Sequence, residues 1–178
     1  MDYKKKYLKY KLKYLNIRKF YGGAQLSSKK NLIENFFKAI ENNNLDDVKA
    51  LLNQDHTLVD IARWGMTGLM LAAREGHVEV VEELLGRRGA YVDIQNRDGW
   101  TALMYAAASG HDAVVAALLD HGADIYTQNS DGMTALLLAV EKRYNNIRVL
   151  LEHARAELER AERAKFLQHH KKISVEAA

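Results

Sequence analysis

The sequence predicts an all-α solenoid: about four helix-turn-helix units with short hairpin loops, a basic N-terminal helix ahead of them and an extended C-terminal helix behind. Three observations predict it. Three stretches of the chain are copies of one another at a period of 33–34 residues. Each copy carries apolar residues at helical spacing. Glycine stands where the first helix of two of the copies must stop.

The copies are GMTGLMLAAREGHVEVVEELL over 65–85, GWTALMYAAASGHDAVVAALL over 99–119 and GMTALLLAVEKRYNNIRVLL over 132–151. Thr67, Thr101 and Thr134 lie 34 and 33 residues apart. Each stands where a hydroxyl can cap the free N–H groups opening a first helix. Ala72-Ala73 and Ala106-Ala107 are small enough for neighbouring helices to approach closely. Gly76 and Gly110 end the first helix in the left-handed conformation. Val80, Val81, Leu84 and Leu85, with their equivalents Val114, Val115, Leu118 and Leu119, make the apolar stripe of the second helix. Asp98-Gly99 and Asp131-Gly132 are tight-turn pairs at the hairpins. A degenerate earlier copy, FFKAIENNNLDDVKALL over 36–52, keeps the helix pattern, with Leu51, Leu84, Leu118 and Leu151 equivalent. One such unit cannot cover its own apolar face, and several stacked units can.

The unit resembles the ankyrin repeat, with its Thr-x-Leu-x-x-Ala opening, Gly-His centre and Leu-Leu-x-x-Gly-Ala close, over residues 30–152. The family's Thr-Pro-Leu-His becomes Thr-Gly-Leu-Met, Thr-Ala-Leu-Met and Thr-Ala-Leu-Leu here, so Met70, Met104 and Leu137 replace a hydrogen-bonding histidine. Proline, pre-organised for the first helical turn, is missing from all three. Gly68→Ala is expected to stabilise by about 0.5–1 kcal/mol.

The expected organisation is a basic amphipathic arm over 1–23 and a linker over 24–30, then an N-terminal capping repeat over 31–61. Repeats follow over 62–95 and 96–128, a C-terminal repeat over 129–152, and a helical extension and tail over 153–178. In the capping repeat Phe36, Phe37, Ile40, Val48, Leu51 and Leu52 can face the stack. After Asn145 nothing breaks the helix. Apolar residues at 147, 151, 154, 158 and 161 follow a 4-3-4-3 spacing, and Glu159 and Arg163 form an i, i+4 pair. One helix of about 145–168 is expected, solvated beyond the stack, with a coiled-coil seam as the rival reading.

The arm, MDYKKKYLKYKLKYLNIRKFYGG, alternates Tyr3, Tyr7, Tyr10, Tyr14, Ile17 and Tyr21 with lysines, the pattern of a basic amphipathic helix. It carries a balance of +7, leaving −4 on the remaining 155 residues of a chain whose net charge is +3. Lys4, Lys5, Lys6, Lys9, Lys11 and Lys13 suit an anionic membrane or nucleic acid. An address tag, or a helix docked on the repeats, fits equally. The leader resembles the Lys/Tyr-rich, Gly-Gly-ended leaders of giant DNA virus (mimivirus-like) proteins, which implies a viral protein.

Chemistry has little purchase. The chain has no cysteine, which excludes a disulfide framework and a cysteine nucleophile and suits a reducing, intracellular setting. No apolar run reaches a membrane span and no secretory signal is visible, so an intracellular, soluble protein is expected, and the leader's viral resemblance implies the cytoplasm of a host cell. Glycines outside the arm belong to the repeat's turns, so no nucleotide loop is present. His77 and His111 occupy the Gly-His slot, a structural place, and His169-His170 has no carboxylate to complete a metal site. No catalytic residue, cofactor or metal is expected.

What the resemblance implies instead is non-enzymatic protein–protein interaction through hairpin tips and the exposed positions of each first helix. Repeat by repeat these are Arg63, Trp64, Met66, Arg74 and Glu75; Gln95, Arg97, Trp100, Ala108 and Ser109; and Gln128, Ser130, Met133, Glu141 and Lys142. Both tryptophans fall in this set. The expected contact stripe is Trp64, Met66, Trp100 and Met133, flanked by Arg63, Arg74 and Arg97, on a monomer whose partner is an unknown protein. The rival reading folds these side chains back onto the neighbouring repeat. The stripe predicts that Trp100→Ala spares the fold and costs at least about 2 kcal/mol of affinity. A tethering protein, held to membrane or nucleic acid by its arm, is the alternative function. No C-terminal ubiquitin-ligase recruiting box is visible after residue 152.

Overall fold

A computed structural model describes residues 23–87 and 90–176. Its helices are α1 (Gly23–Glu41), α2 (Leu45–Gln54), α3 (Gly68–Glu75), α4 (Val78–Leu85), α5 (Ala102–Ser109), α6 (Asp112–Asp120), α7 (Ala135–Glu141) and α8 (Asn145–Glu176). A 3-10 turn over His56–Asp60 follows α2, and a hairpin of β1 (Ala62–Arg63) and β2 (Met66–Thr67) precedes α3. The helices stack in two layers. First helices α1, α3, α5 and α7 follow one another in one layer, and second helices α2, α4, α6 and α8 in the other. This is the all-α solenoid expected from the repeats.

The caps form as the threonines require. Thr67, Thr101 and Thr134 are N-caps whose hydroxyls accept from the backbone N–H of Met70, Met104 and Leu137 at 3.2, 3.3 and 3.3 Å. Met70 also answers for the missing histidine, because its sulfur accepts from the Thr67 N–H at 3.5 Å. At the other end of the first helix the left-handed position recurs at Asn43, Gly76, Gly110 and Arg143. The capping repeat and the last repeat thus hold the family turn without its glycine, which asparagine tolerates far better than arginine.

Each glycine does a second job. The ring of His111 lies over Gly76, and the ring of Tyr144 over Gly110, so neither position has room for a β-carbon. His111 Nε2 also bonds the Arg74 carbonyl of the preceding repeat at 2.9 Å. His77 differs: its Nε2 is buried and finds no hydrogen-bond partner among the described residues. Further along the joints, the Asp60 carboxylate accepts from the Tyr91 N–H at 3.3 Å and the Asp93 carboxylate from the Asp124 N–H at 2.9 Å.

Phe36, Phe37, Ile40, Val48, Leu52, Val80, Val81, Leu84, Val114, Val115, Leu118, Ile147 and Leu151 are buried in one continuous core, and Leu51 is partly covered. Gly68 belongs to that packing. A β-carbon there would come within 2.9 Å of both Phe36 and Ile40, which are fully buried, so the glycine makes room for the capping repeat. A methyl there sets a crowding cost against the helix propensity that favours alanine.

Two boundaries also change. Residues 24–30, expected as a linker, are the opening turns of α1. Lys29 donates to the Asp55 carboxylate and, at 2.9 Å, to the Thr57 hydroxyl, fastening this segment to the loop after α2. At the C-terminus the uninterrupted helix runs to Glu176 rather than 168. Glu159 pairs with Arg155 at 3.1 Å, not with Arg163. The basic arm up to residue 22 lies outside the described residues.

Candidate partner-binding surface

The first hairpin pairs Ala62 with Thr67 and Arg63 with Met66, leaving Trp64-Gly65 as a two-residue loop. Both loop residues are left-handed, with φ of 54° and 83°. That is the type I′ geometry favoured by the twist of a hairpin, and one that a bulky side chain at the first position resists. Trp64 is 89% exposed. A large apolar side chain is therefore held in solvent in a conformation that costs about 1–2 kcal/mol for an ordinary residue.

The indole has a built seat. The Arg63 guanidinium lies 4.6 Å from the centre of the Trp64 ring and 4.6 Å from that of Phe37. Arg63 is fixed by Glu34 at 3.0 Å and by Glu41, both on α1. Phe37 belongs to the core. The order is buried ring, guanidinium held by two carboxylates, exposed indole. Arg63 was placed among the contact residues; its side chain is instead largely covered and supports Trp64 from beneath.

The next hairpins are built differently. Asn96 Oδ1 accepts from the N–H groups of Asp98 and Trp100 at 3.0 and 2.8 Å. Asn129 repeats this with Asp131 and Met133 at 3.0 and 2.8 Å. Asn96 and Asn129 thus organise these turns, more than the Asp-Gly pairs that signal them. In the first hairpin Ala62 holds the equivalent place and offers no side-chain acceptor. The second and third hairpins are also laced together. The Ser130 N–H and hydroxyl donate to the Asp98 carbonyl at 2.9 and 3.0 Å, and Gln95 Nε2 donates to the Gln128 carbonyl at 3.0 Å. A β-carbon on Gly99 would meet Asn129 at 2.8 Å, whereas one on Gly65 would meet nothing within 4 Å. The Trp64 hairpin projects with room around its turn, and the second and third hairpins are bonded to each other.

Trp100 does not join Trp64 in solvent. It is partly buried against the core and stacks on Tyr105 at 5.0 Å. Its ring contact is thus with its own repeat, and Trp100→Ala removes that contact. Burial raises the Tyr105 hydroxyl above its ordinary value; Arg74 opposes this, Asp98 adds to it, and the Asn96 amide hydrogen bond opposes it. Arg74 is exposed and bonds Glu75 at 2.7 and 2.9 Å. Arg97 is exposed, while Met66 and Met133 are partly buried against the core. Of the four apolar side chains of the expected stripe, Trp64 alone projects fully into solvent, and Met66, Trp100 and Met133 are partly buried. Tyr105, Asn96 and the Phe37–Arg63 support were not anticipated.

Among the described residues no cluster of three or more His, Asp or Glu side chains could hold a metal ion. No helix of the described residues is long and apolar enough to cross a membrane. No curated protein matches the chain. A family model described as ankyrin repeats, in three copies, matches residues 36–129 and again 88–162. Members of that family generally mediate protein–protein interaction and are typically non-enzymatic. With threonine caps, left-handed helix ends and stacked hairpinned helices agreeing with that match, the chain belongs to the ankyrin-repeat family.

Proposed function

We propose that this chain is a protein-binding module whose anchor is Trp64. The observation that carries the proposal is the combination of near-complete exposure, a left-handed backbone and a purpose-built seat on Arg63. Folding alone gains little from that arrangement beyond the Arg63 contact: an asparagine would fill the turn better, and a buried indole would contribute more. Binding a partner converts the exposed ring into buried apolar area, and tryptophan and arginine are enriched at such anchors. Arg74, paired with Glu75, and Arg97 are the charged exposed side chains of the expected set, and in this reading they orient polar groups of the partner. Met66, Trp100 and Met133 contribute shape rather than anchoring. The leader's resemblance to viral proteins supports a viral origin, with a host or viral protein as the partner and the host cytoplasm as the setting.

A tethering role has one observation in its favour, the +7 balance of residues 1–23 against −4 on the rest. In that reading Lys4, Lys5, Lys6, Lys9, Lys11 and Lys13 hold an anionic membrane or nucleic acid, and the repeats recruit. Deleting residues 1–22 separates the two. Retained partner capture with altered cellular distribution adds the tether to the binding function, whereas lost capture with an intact fold removes the repeats from the role proposed. Affinity capture with the full chain beside Trp64→Asn tests the anchor: a specific set of proteins should disappear with the variant, and identical captured sets would refute it.

A further inference from the structure

We propose that two copies of this chain associate through the open C-terminal end of the solenoid, with their α8 helices antiparallel. This surface is separate from the Trp64 hairpin. The starting observation is a comparison between repeats. Leu137 holds the place of Met70 and Met104, and Val140 the place of Ala73 and Ala107. In the internal repeats the next first helix covers these positions, leaving them 0–1% exposed. In the last repeat Leu137 and Val140 are 46% and 50% exposed, and Tyr144 joins them at the edge. Size has also grown, from alanine to valine, where solvent would favour a polar residue.

The second helix tells the opposite story. Val81 and Val115 become Arg148, and Leu85 and Leu119 become Glu152. Arg148 and Glu152 pair at 2.9 Å, so α8 is adapted to water where α7 is not. The end face is therefore half capped: an apolar ridge on α7 beside a charged stripe on α8. That stripe continues into the overhang as Arg155 and Glu159, paired at 3.1 Å. Read along the helix, the stripe is plus, minus, plus, minus.

Reversed, this order is its own complement. Two α8 helices placed antiparallel, centred between Glu152 and Arg155, set Arg148 against the second copy's Glu159 and Glu152 against the second copy's Arg155. Self-complementarity of this kind is what a two-fold interface requires. The apolar part closes too. Leu158 lies two turns beyond Leu151, on the flank by which α8 packs against α7, but beyond the stack, where it is exposed. In the antiparallel pair this flank of one copy runs along the α7 ridge of the other, so Leu158 covers Leu137 and Val140. The opposite end of the stack is a poor substitute occupant. Away from the Arg63 side, α1 presents Asn35 and Lys38 to solvent, so head-to-tail stacking would set leucine and valine against polar groups. This dimer replaces the expectation of a monomer.

The test is the oligomeric state of the full chain, measured by sedimentation over a range of concentrations. Wild type should show a reversible dimer. Leu158→Glu and Val140→Glu should each weaken it by at least about ten-fold with helical content unchanged. Arg155→Glu should weaken it similarly, by facing Glu152 with a like charge. Adding Glu152→Arg to that variant should restore the dimer, because both inter-copy pairs return even though both pairs within the helix are lost. A wild-type chain that stays monomeric overturns the proposal, and so does a dimer indifferent to these substitutions. A chain that dimerises only after residues 1–22 are deleted assigns the ridge to that segment, and overturns it as well.

Discussion

The imidazole of His111 lies over Gly76 of the preceding repeat, so close that a β-carbon on the glycine would come within 2.7 Å of the ring. Tyr144 takes the same position over Gly110, with 2.9 Å to a β-carbon. One glycine thus serves two neighbours, ending its own helix at positive φ and receiving a ring from the next repeat.

Gly76→Ala should therefore cost more than its backbone alone explains. The left-handed conformation costs about 1–2 kcal/mol for alanine, and displacing the ring adds a crowding cost of about 1–3 kcal/mol. Gly65→Ala, at similar φ but with open space around it, should show only the first. Urea unfolding of the two variants checks this; equal losses would remove the ring contact from the account.

Gly68→Ala is expected to destabilise by about 1–3 kcal/mol, because the new methyl meets Phe36 and Ile40 in the core. Adding Ile40→Val should recover part of that loss by vacating the crowded methyl. A raised midpoint in Gly68→Ala would restore the propensity argument.

These glycines show how far the sequence could be read. Periodicity alone located the repeats, their threonine caps and the two left-handed ends at Gly76 and Gly110, since each follows from local backbone needs. The second role of Gly76 and the crowding at Gly68 arise between repeats, where sequence spacing carries no distance. Trp64 and Trp100 looked alike for the same reason. Which tryptophan projects depends on whether the turn has an Asn96-type acceptor to fold it, and on the Phe37–Arg63 seat, assembled from residues far apart in the chain. The end face was legible in principle: comparing Leu137 and Val140 with Met70 and Ala73 needs only the alignment of the copies.

Acid should loosen the N-terminal helix first. Burial pushes the Asp55 carboxyl up, but the Lys29 and Thr57 hydrogen bonds outweigh it and hold the group below its ordinary value of 3.8. The folded form thus favours the ionised carboxylate. Its contribution is fully present above that ordinary value and is lost as pH falls through the depressed folded one. Asp55→Asn should flatten the acid limb of the stability curve and increase hydrogen exchange in α1 near Lys29. An unchanged acid limb would remove the Lys29–Asp55 pair from the account.

At the alkaline end the direction is opposite. Burial raises the Tyr105 hydroxyl, with Arg74 opposing, so the folded state favours the neutral phenol. Stability from this group is intact below the ordinary phenol value of 10.0 and declines as pH rises through the raised folded one. Tyr105→Phe should lessen the alkaline loss while forfeiting the Asn96 hydrogen bond, about 1 kcal/mol at neutral pH. Melting curves across the alkaline range would show whether the slope changes.

The most direct test of the binding anchor is Trp64→Asn, measured for stability and for affinity toward a captured partner on the same preparation. Asn-Gly is the preferred type I′ pair, so relief of the strained turn should offset the lost Arg63 stacking and leave the melting temperature equal or higher. Affinity should fall about 30-fold or more, the equivalent of about 2 kcal/mol. Unchanged affinity with an intact fold would contradict the account, because the exposed indole would then serve no partner.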